Sequence, residues 1–502
     1  MSLHVRTTVL LTAGLLLLAC VLVLSAWLCD DAYITFRTIE NLVTGHGARW
    51  NVIERVQSYT HPLWMLILAG LRAMTGEIYY TSIITSLVLS LGAALLMVRS
   101  AVDRGRVAPL LILALVMSRS FVDYSTSGLE NPLTHLLLVL FLRRWWISHR
   151  APADTDLRLL WALAAGVLLC RLDLILLLGP LLGSLFWSRR DKAGLRAAVV
   201  GASPLIAWEV FSVIYYGVPF PNTAYAKLGA GIPWFDYVKQ GGMYLGDSTL
   251  FDPVIALVIV AGLVAGYGSR RRGDLLVAVG TTLYLLYVVR IGGDFMAGRF
   301  LTAPLVAALM ILGRRTLSSL RYALTAALVI VAVGLWAPRP VLLSGPDFGL
   351  DVEKAVGDHG IADERAFYYP TTGLLRAQRG AYHIDHPWAM NGRRAQRSGR
   401  PVVSKRTIGF FGFFAGPGVH VIDRFGLSDP LVARIQLPAG SEWRIGHILR
   451  DIPAGYMESA LWASSAVVDP ELAAFDDKLR LVTRGPLFTS ARWRAIVELN
   501  TP

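Results

Sequence analysis

Two adjacent carboxylates, Asp30 and Asp31, follow directly on Thr7–Leu28, an apolar run long enough to cross a hydrocarbon core. Carboxylates at a membrane boundary are costly unless they are solvated or used. A carboxylate within hydrogen-bond reach of an acceptor hydroxyl can take its proton as attack proceeds. The pair therefore suits group transfer from a substrate that lives in the bilayer. Asp30 is then the general base, and Asp31 caps a helix, holds a cation or orients sugar hydroxyls. The competing reading makes the pair an N-cap of the following helix, for which one aspartate suffices. A second set lies in RIGGDFMAGRF, residues 290–300, where Arg290 and Arg299 flank Asp294. Two guanidiniums can grip a phosphate bidentately and stabilise the charge on a polyprenyl phosphate leaving group. Gly292, Gly293 and Gly298 would let the backbone approach such a ligand closely. Lys227 in PNTAYAK and Arg171 in CRLD are further candidate phosphate contacts. Against them stand a snorkelling lysine and a plain Arg171–Asp173 ion pair at a helix hairpin.

Polar and aromatic residues that could meet a sugar or its acceptor are scattered through the same segments. They are Arg37, His46, Tyr59, His61, Trp64, Glu130, Asp173, Asn222, Asp294 and His447. Tyr59 and Trp64 read equally as interfacial anchors, and His46 as an ordinary loop residue. Asp30, Asp31 and Glu130 are hard oxygen ligands that would suit Mg²⁺ or Ca²⁺, but their spacing does not define a site. The three cysteines lack zinc-ligand spacing, and no Walker or dinucleotide-binding pattern is present. No cofactor is required by the sequence. Further on, the aromatics of GFFGFFAGPGVHVIDRF read as core strands. The polar tails around Asp423, Arg424, Ser428 and Asp429, and around Arg444, His447 and Arg450, would line an acceptor groove.

The elements that must position these groups are mostly membrane helices. With 54% hydrophobic and 17% charged residues, and apolar runs recurring as far as Trp336, the chain reads as polytopic. About eleven spans are expected, at 7–28, 78–98, 107–119, 132–145, 158–170, 174–188, 196–216, 251–268, 275–289, 300–313 and 321–336. DDAYITFRTIENLVTGHG reads as a short amphipathic helix on the membrane surface, stopped at Gly45-His46-Gly47. If His61–Thr75 is half-buried or re-entrant and does not cross, every arginine-rich loop falls on one side, as the positive-inside rule prefers. The N-terminus is then cytoplasmic, and the motif-bearing loops face outward at the plasma membrane. Residues 1–336 form the transmembrane catalytic domain. Residues 337–502 form a soluble extracytoplasmic domain, expected to be α/β or α+β. The net charge of +13 is spent in short loops between spans, which argues against nucleic-acid binding. A transporter or flippase would want midplane charges and inverted repeats, and the sequence shows neither.

Taken together, DDAYITFR…GHGARWN, SYTHPLW, SGLENP, RIGGDFMAGRF and FGLSDPLVAR resemble the GT-C glycosyltransferases that use polyprenyl-phosphate sugars. Within that group the likeness is to the family of mycobacterial terminal arabinofuranosyltransferases. The resemblance covers most of the chain. The paired aspartates are shared widely among GT-C enzymes, whereas GGDFM-x-GR and GLSDPL are far more specific. It implies decaprenyl-phosphate arabinofuranose as donor, the arabinan of arabinogalactan or lipoarabinomannan as acceptor, and Asp30 as the catalytic carboxylate. The chain is shorter than the mycobacterial enzyme, mostly in the outer domain, and relatives that modify pilins keep a protein acceptor open.

Overall fold

The computed structural model describes residues 3–150, 156–345, 355–377, 384–438 and 440–501. Each apolar run read as a span is helical. The helices are Leu3–Leu24, Tyr79–Ala101, Val107–Met117, Asn131–Arg150, Leu157–Cys170, Ile175–Ser188, Lys192–Tyr215, Pro253–Tyr267, Arg272–Arg290, Thr302–Leu312 and Leu320–Trp336. Three of the described helical segments, Tyr79–Arg104, Lys192–Tyr215 and Arg272–Arg290, are long and apolar enough to cross a membrane alone. A fourth crossing results if Trp234–Phe251 and Pro253–Tyr267, bent by 110° at their junction, act as one broken span. Pro62–Thr75 is a helix of 14 residues.

The chain divides into two compact units, and not at Trp336. The first unit holds residues 1–28, 82–205 and 234–377; the second holds 29–81, 206–233 and 378–502. Residues 355–377 thus belong with the apolar helices. The reason lies in their side chains. Arg119 Nη2 meets Asp363 Oδ2 at 2.5 Å, Arg365 Nε meets Asp123 Oδ1 at 2.6 Å, and Arg339 Nη1 meets Asp363 Oδ2 at 2.8 Å. Thr372 Oγ1 also donates to the Leu28 carbonyl at 2.7 Å, tying down the chain that leaves the first helix.

In the first unit the core is built from Leu, Val, Ile and Ala of these helices. Small residues set their closest approaches, as is common where helices pack without a hydrophobic drive between them. A Cβ at Gly280 would overlap the Leu177 carbonyl oxygen, and one at Gly262 would overlap Ala308. At the 110° bend Asp252 takes over the unpaired amides. It accepts from Ile255 N at 3.1 Å, Ser120 N at 2.8 Å and Ser118 Oγ at 2.7 Å.

The second unit carries the described strands, Val402–Lys405 and His420–Asp423, paired in parallel with Val402 opposite His420. The expected helix after the first span is Asp30–Val43, and ten of its 14 residues are buried within the protein. One sequence expectation fails here: GFFGFFA is not a strand but the helix Gly409–Ala415. Glycines three residues apart fall on one helical face, where Gly409 lies against Asp30 and Gly412 against Trp50 and Arg37. The expected stop at residues 45–47 is observed: the helix ends at Thr44, and Gly45 and Gly47 both have φ of 87°.

Gly280→Val should lower the melting temperature of the purified protein by driving a side chain into Leu177, an overpacking cost of about 1–3 kcal/mol or more. Gly242→Ala, with open space around its Cβ, should leave it unchanged. Equal melting temperatures for Gly280→Val and wild type would refute the packing described for that helix pair.

Candidate active site

Asp30 opens its helix, yet it does not cap it. Cys29 occupies the N-cap position, and its side chain makes no capping hydrogen bond. The Asp30 carboxylate instead accepts from the backbone of the helix Gly409–Ala415, at 3.0 Å from Gly409 N and 2.6 Å from Phe410 N. Burial pushes its pKa up, the two amides and the neighbouring Asp31 act in opposite senses, and the result is about 7 against an ordinary 3.8. A carboxylate poised there can act as a base near neutrality. Its stability contribution follows from the sign of the shift: it is fully present below about pH 4 and is lost as pH rises through about 7. Asp31 is half-buried beside it. Tyr33, one turn on, is packed edge-on against Phe410 at 4.7 Å and Phe413 at 5.2 Å. His386 joins the same wall, 5.2 Å from the Phe410 ring.

Most other candidates in this unit hold the scaffold. Arg37, expected to meet a sugar, is 2% exposed, with every nitrogen committed. Its Nε donates to Trp50 O at 2.9 Å, Nη1 to Gly412 O and Nη2 to Val419 O, both at 2.8 Å, while the guanidinium stacks 4.1 Å from the Trp50 ring. That expectation is corrected: Arg37 is a clamp on loop carbonyls. Asn222 likewise donates to Gly426 O at 2.7 Å and Asp429 O at 2.9 Å. Tyr59 is buried, its hydroxyl 2.8 Å from that of Tyr216, and Trp64 is fully buried, so neither is an interfacial anchor. His61 is buried with Nε2 at 2.9 Å from Thr35 Oγ1, five residues beyond Asp30. His46 pairs through Nδ1 with Thr44 Oγ1 at 3.0 Å. Lys227 and His447 are half-buried. His447 packs edge-on against Phe425, and burial with nearby Arg444 and Lys227 depresses its pKa to about 4. Asp423 and Asp429 line no groove but fasten their own turn: Asp423 accepts from Phe425 and Ser428 amides, and Asp429 from those of Leu431 and Val432.

The remaining candidates gather in the first unit. Glu130, 1% exposed, accepts from Arg299 Nη2 at 3.1 and 3.2 Å and has Arg171 Nε at 4.0 Å. Arg171 pairs bidentately with Asp173, at 2.5 and 3.1 Å, reaches the Tyr284 hydroxyl at 3.0 Å and lies 4.3 Å over Phe300. The hairpin ion pair is thus present, but Arg171 Nη1 is buried without a hydrogen-bond partner among the described residues. Asp294 sits 3.4 Å from Arg299 Nη1. Arg290 is exposed at the end of its helix, and the two guanidiniums that meet about Glu130 are those of Arg171 and Arg299. The glycines of this loop serve the protein itself. Gly293 (φ 73°) admits the Tyr244 ring, and Gly298 (φ 72°) admits Ser120. Among the described residues no group of three or more His, Cys, Asp or Glu is arranged to hold a metal ion. Glu130 between two guanidiniums is a poor cation ligand.

Sequence reasoning missed Tyr284, Tyr244 and the Arg119–Asp123–Asp363–Arg365 network. The charged residues of that network were visible in the sequence, but Arg119 and Asp123 lie far along the chain from Asp363 and Arg365, and the two pairs share no motif.

No family model matches the chain. It is 29% identical to the terminal β-(1→2)-arabinofuranosyltransferase of Mycobacterium tuberculosis, over 87% of this chain and 83% of that protein. It is 28% identical to the protein of the same description from Corynebacterium glutamicum, over 57% of this chain and 47% of the relative. Among solved structures, ArnT from Cupriavidus metallidurans is similar at a TM-score of 0.47 when bound to undecaprenyl phosphate and 0.48 in the apo state. The identities are 14% and 15%, with 84% of this chain and 86% of ArnT covered.

Arg37→Leu should strand the carbonyls of Gly412 and Val419, at about 1–3 kcal/mol for each buried group left unpaired, while the Trp50 carbonyl keeps the Asn41 amide at 3.0 Å. The expected reading is a lower melting temperature and faster proteolysis within residues 378–438. If Arg37→Leu matches wild type in stability and loses only acceptor affinity, the sugar-contact role returns.

Proposed function

We infer that this chain, a glycosyltransferase homologous to the terminal arabinofuranosyltransferases, moves arabinofuranose from a polyprenyl phosphate to an acceptor hydroxyl of the cell envelope. The observation that carries the reading is the alignment with the mycobacterial relative along 87% of the chain. The polytopic helical build and the buried carboxylate at Asp30 agree with it. In the proposed reaction the acceptor oxygen bonds to the anomeric carbon while the bond from that carbon to the phosphate oxygen breaks. The acceptor proton passes to Asp30, and the electron pair leaves with the polyprenyl phosphate. Asp30 is assigned the base role because its amide bonds fix its orientation and burial places its pKa where it can accept a proton near neutrality. Arg171, with Nη1 unsatisfied, and Arg299 are assigned to the phosphate, where guanidiniums stabilise developing charge. Each role rests on the geometry of its own unit.

The decaprenyl donor, the arabinan acceptor and a GT-C arrangement with the C-terminal region outside the cell complete the proposal. The apolar helices and the one-sided arginine loops support the topology.

The test uses purified protein with synthetic polyprenyl-phosphate arabinofuranose and a short arabinan acceptor. Wild type should transfer, and Asp30→Asn should lose about 10²–10⁴-fold in rate while still binding donor. Because Asp30 also holds Gly409 and Phe410, the decisive reading is the pH profile. Wild-type rate should rise through an apparent pKa of about 7, and the residual rate of Asp30→Asn should lack that limb. An Asp30→Asn protein as active as wild type refutes the base assignment. Bound donor without transfer to arabinan redirects the acceptor to a protein such as a pilin.

A further inference from the structure

In the first unit, a cavity of about 140 Å³ lies among the ends of four helices, Tyr79–Ala101, Val107–Met117, Asn131–Arg150 and Thr302–Leu312. Its polar wall holds Arg104, Arg143 and Arg314, and its apolar wall includes Met97, Leu111 and Leu309. Arg314 is committed: its Nε meets Asp274 Oδ1 at 2.7 Å, and its guanidinium stacks 4.5 Å over Trp146. Arg104 and Arg143 have no ion-pair partner among the described residues, and both are half-buried. Trp146 also lines the cavity. It is 5% exposed, and its buried indole Nε1 has no hydrogen-bond partner among the described residues.

Two unneutralised guanidiniums on one cavity wall call for an anion, and the apolar wall calls for hydrocarbon. These groups come from the arginine-rich loops that the positive-inside rule places on the cytoplasmic side, where anionic lipids concentrate and basic pockets between helices bind their headgroups. A bland alternative exists. Arginines at helix C-termini also complement the helix dipole, but that would not gather Arg104, Arg143 and Arg314 around one cavity.

We propose that the cavity bounded by Arg104, Arg143, Trp146 and Arg314 is a binding site for an anionic phospholipid, its phosphodiester held by the guanidiniums and its acyl chain along Met97, Leu111 and Leu309. The site is separate from the Glu130–Arg171–Arg299 cluster and makes no use of the transfer chemistry.

The experiment is native mass spectrometry of the full chain released from nanodiscs of phosphatidylcholine alone or phosphatidylcholine with phosphatidylglycerol. Wild type should retain phosphatidylglycerol in preference to phosphatidylcholine. The double variant Arg104→Gln/Arg143→Gln should lose about 30-fold in that preference, from the usual contribution of each arginine near an anionic lipid surface. Trp146→Phe, which keeps the ring and removes the N–H, should weaken it less and guards against misfolding of the double variant. The control Arg270→Gln/Arg272→Gln removes the same charge at exposed positions and should retain lipid as wild type does. Equal retention of both lipids by wild type, or equal loss in the control, overturns the site. Displacement of the lipid by millimolar inorganic phosphate overturns the lipid assignment in favour of a free anion. Transfer activity enters none of these readings, so failure of the enzymatic proposal would leave them intact.

Discussion

The second unit depends on guanidiniums donating to backbone carbonyls. Its described strands are four residues each, so long stretches of loop must satisfy their polar groups without a sheet. Buried arginines do so. Besides Arg37, Arg450 reaches the carbonyls of Ile435, Ala226, Phe425 and Ile448. Arg492 reaches those of Val482, Ile214, Leu487 and Tyr215, and Arg55 those of Tyr215, Val482 and Gly485. Five fixed donors on a planar fork let one side chain join three or four separate segments. Aspartates perform the complementary task for amides: Asp423 and Asp429 within their own turn, and Asp30 across nearly four hundred residues of sequence. Such groups are expensive to bury, but each of these arginines makes three or four bonds to carbonyls, and removing one unpairs several backbone atoms at once.

The first unit meets the same cost differently. Its helices already satisfy most of the backbone, so its buried charges answer one another: Arg119 and Arg365 with Asp123 and Asp363, Arg171 and Arg299 with Asp173, Glu130 and Asp294. In low dielectric a paired charge is tolerated and an unpaired one is not. Several buried side-chain atoms of this unit lack a hydrogen-bond partner among the described residues, and Arg171 Nη1, within the cluster about Glu130, is the one assigned to an anion.

The helices were legible because apolar periodicity and length are local properties. The runs from Thr7 to Trp336 each became a helix within a few residues of expectation. The Gly45-His46-Gly47 stop was equally local. What could not be read was which distant segments share one side chain. Nothing near Arg37 announces that Gly412 and Val419 will be its acceptors, so a clamp looks like a sugar contact. Arg290 and Arg299 are close in sequence, yet Arg290 is exposed at the end of its helix, and it is Arg171 that meets Arg299 about Glu130. GFFGFFA misled for a related reason: in isolation its phenylalanines suit a strand, and the cap that makes it a helix is Asp30. Among the site candidates, the carboxylates and arginines that gathered came from three segments between helices; the Arg171–Asp173 pair was legible from its spacing, whereas the meeting of Glu130 with both arginines was not.

Asp30 joins the two kinds of work. Burial disfavours its charged form, and the amides of Gly409 and Phe410 favour it, so its pKa of about 7 is a balance between opposing contributions. The amide bonds also leave the carboxylate little freedom to turn, which is what a base needs to meet a hydroxyl in one orientation. Gly409 is required at that contact, since a Cβ would overlap the Asp30 backbone. The packing of Gly412 against Trp50 and Arg37 then sets how far the helix can approach. The proton affinity of the proposed base is thus fixed by the position of a helix that enters the chain almost four hundred residues later. A change in that packing would retune the chemistry without touching the carboxylate.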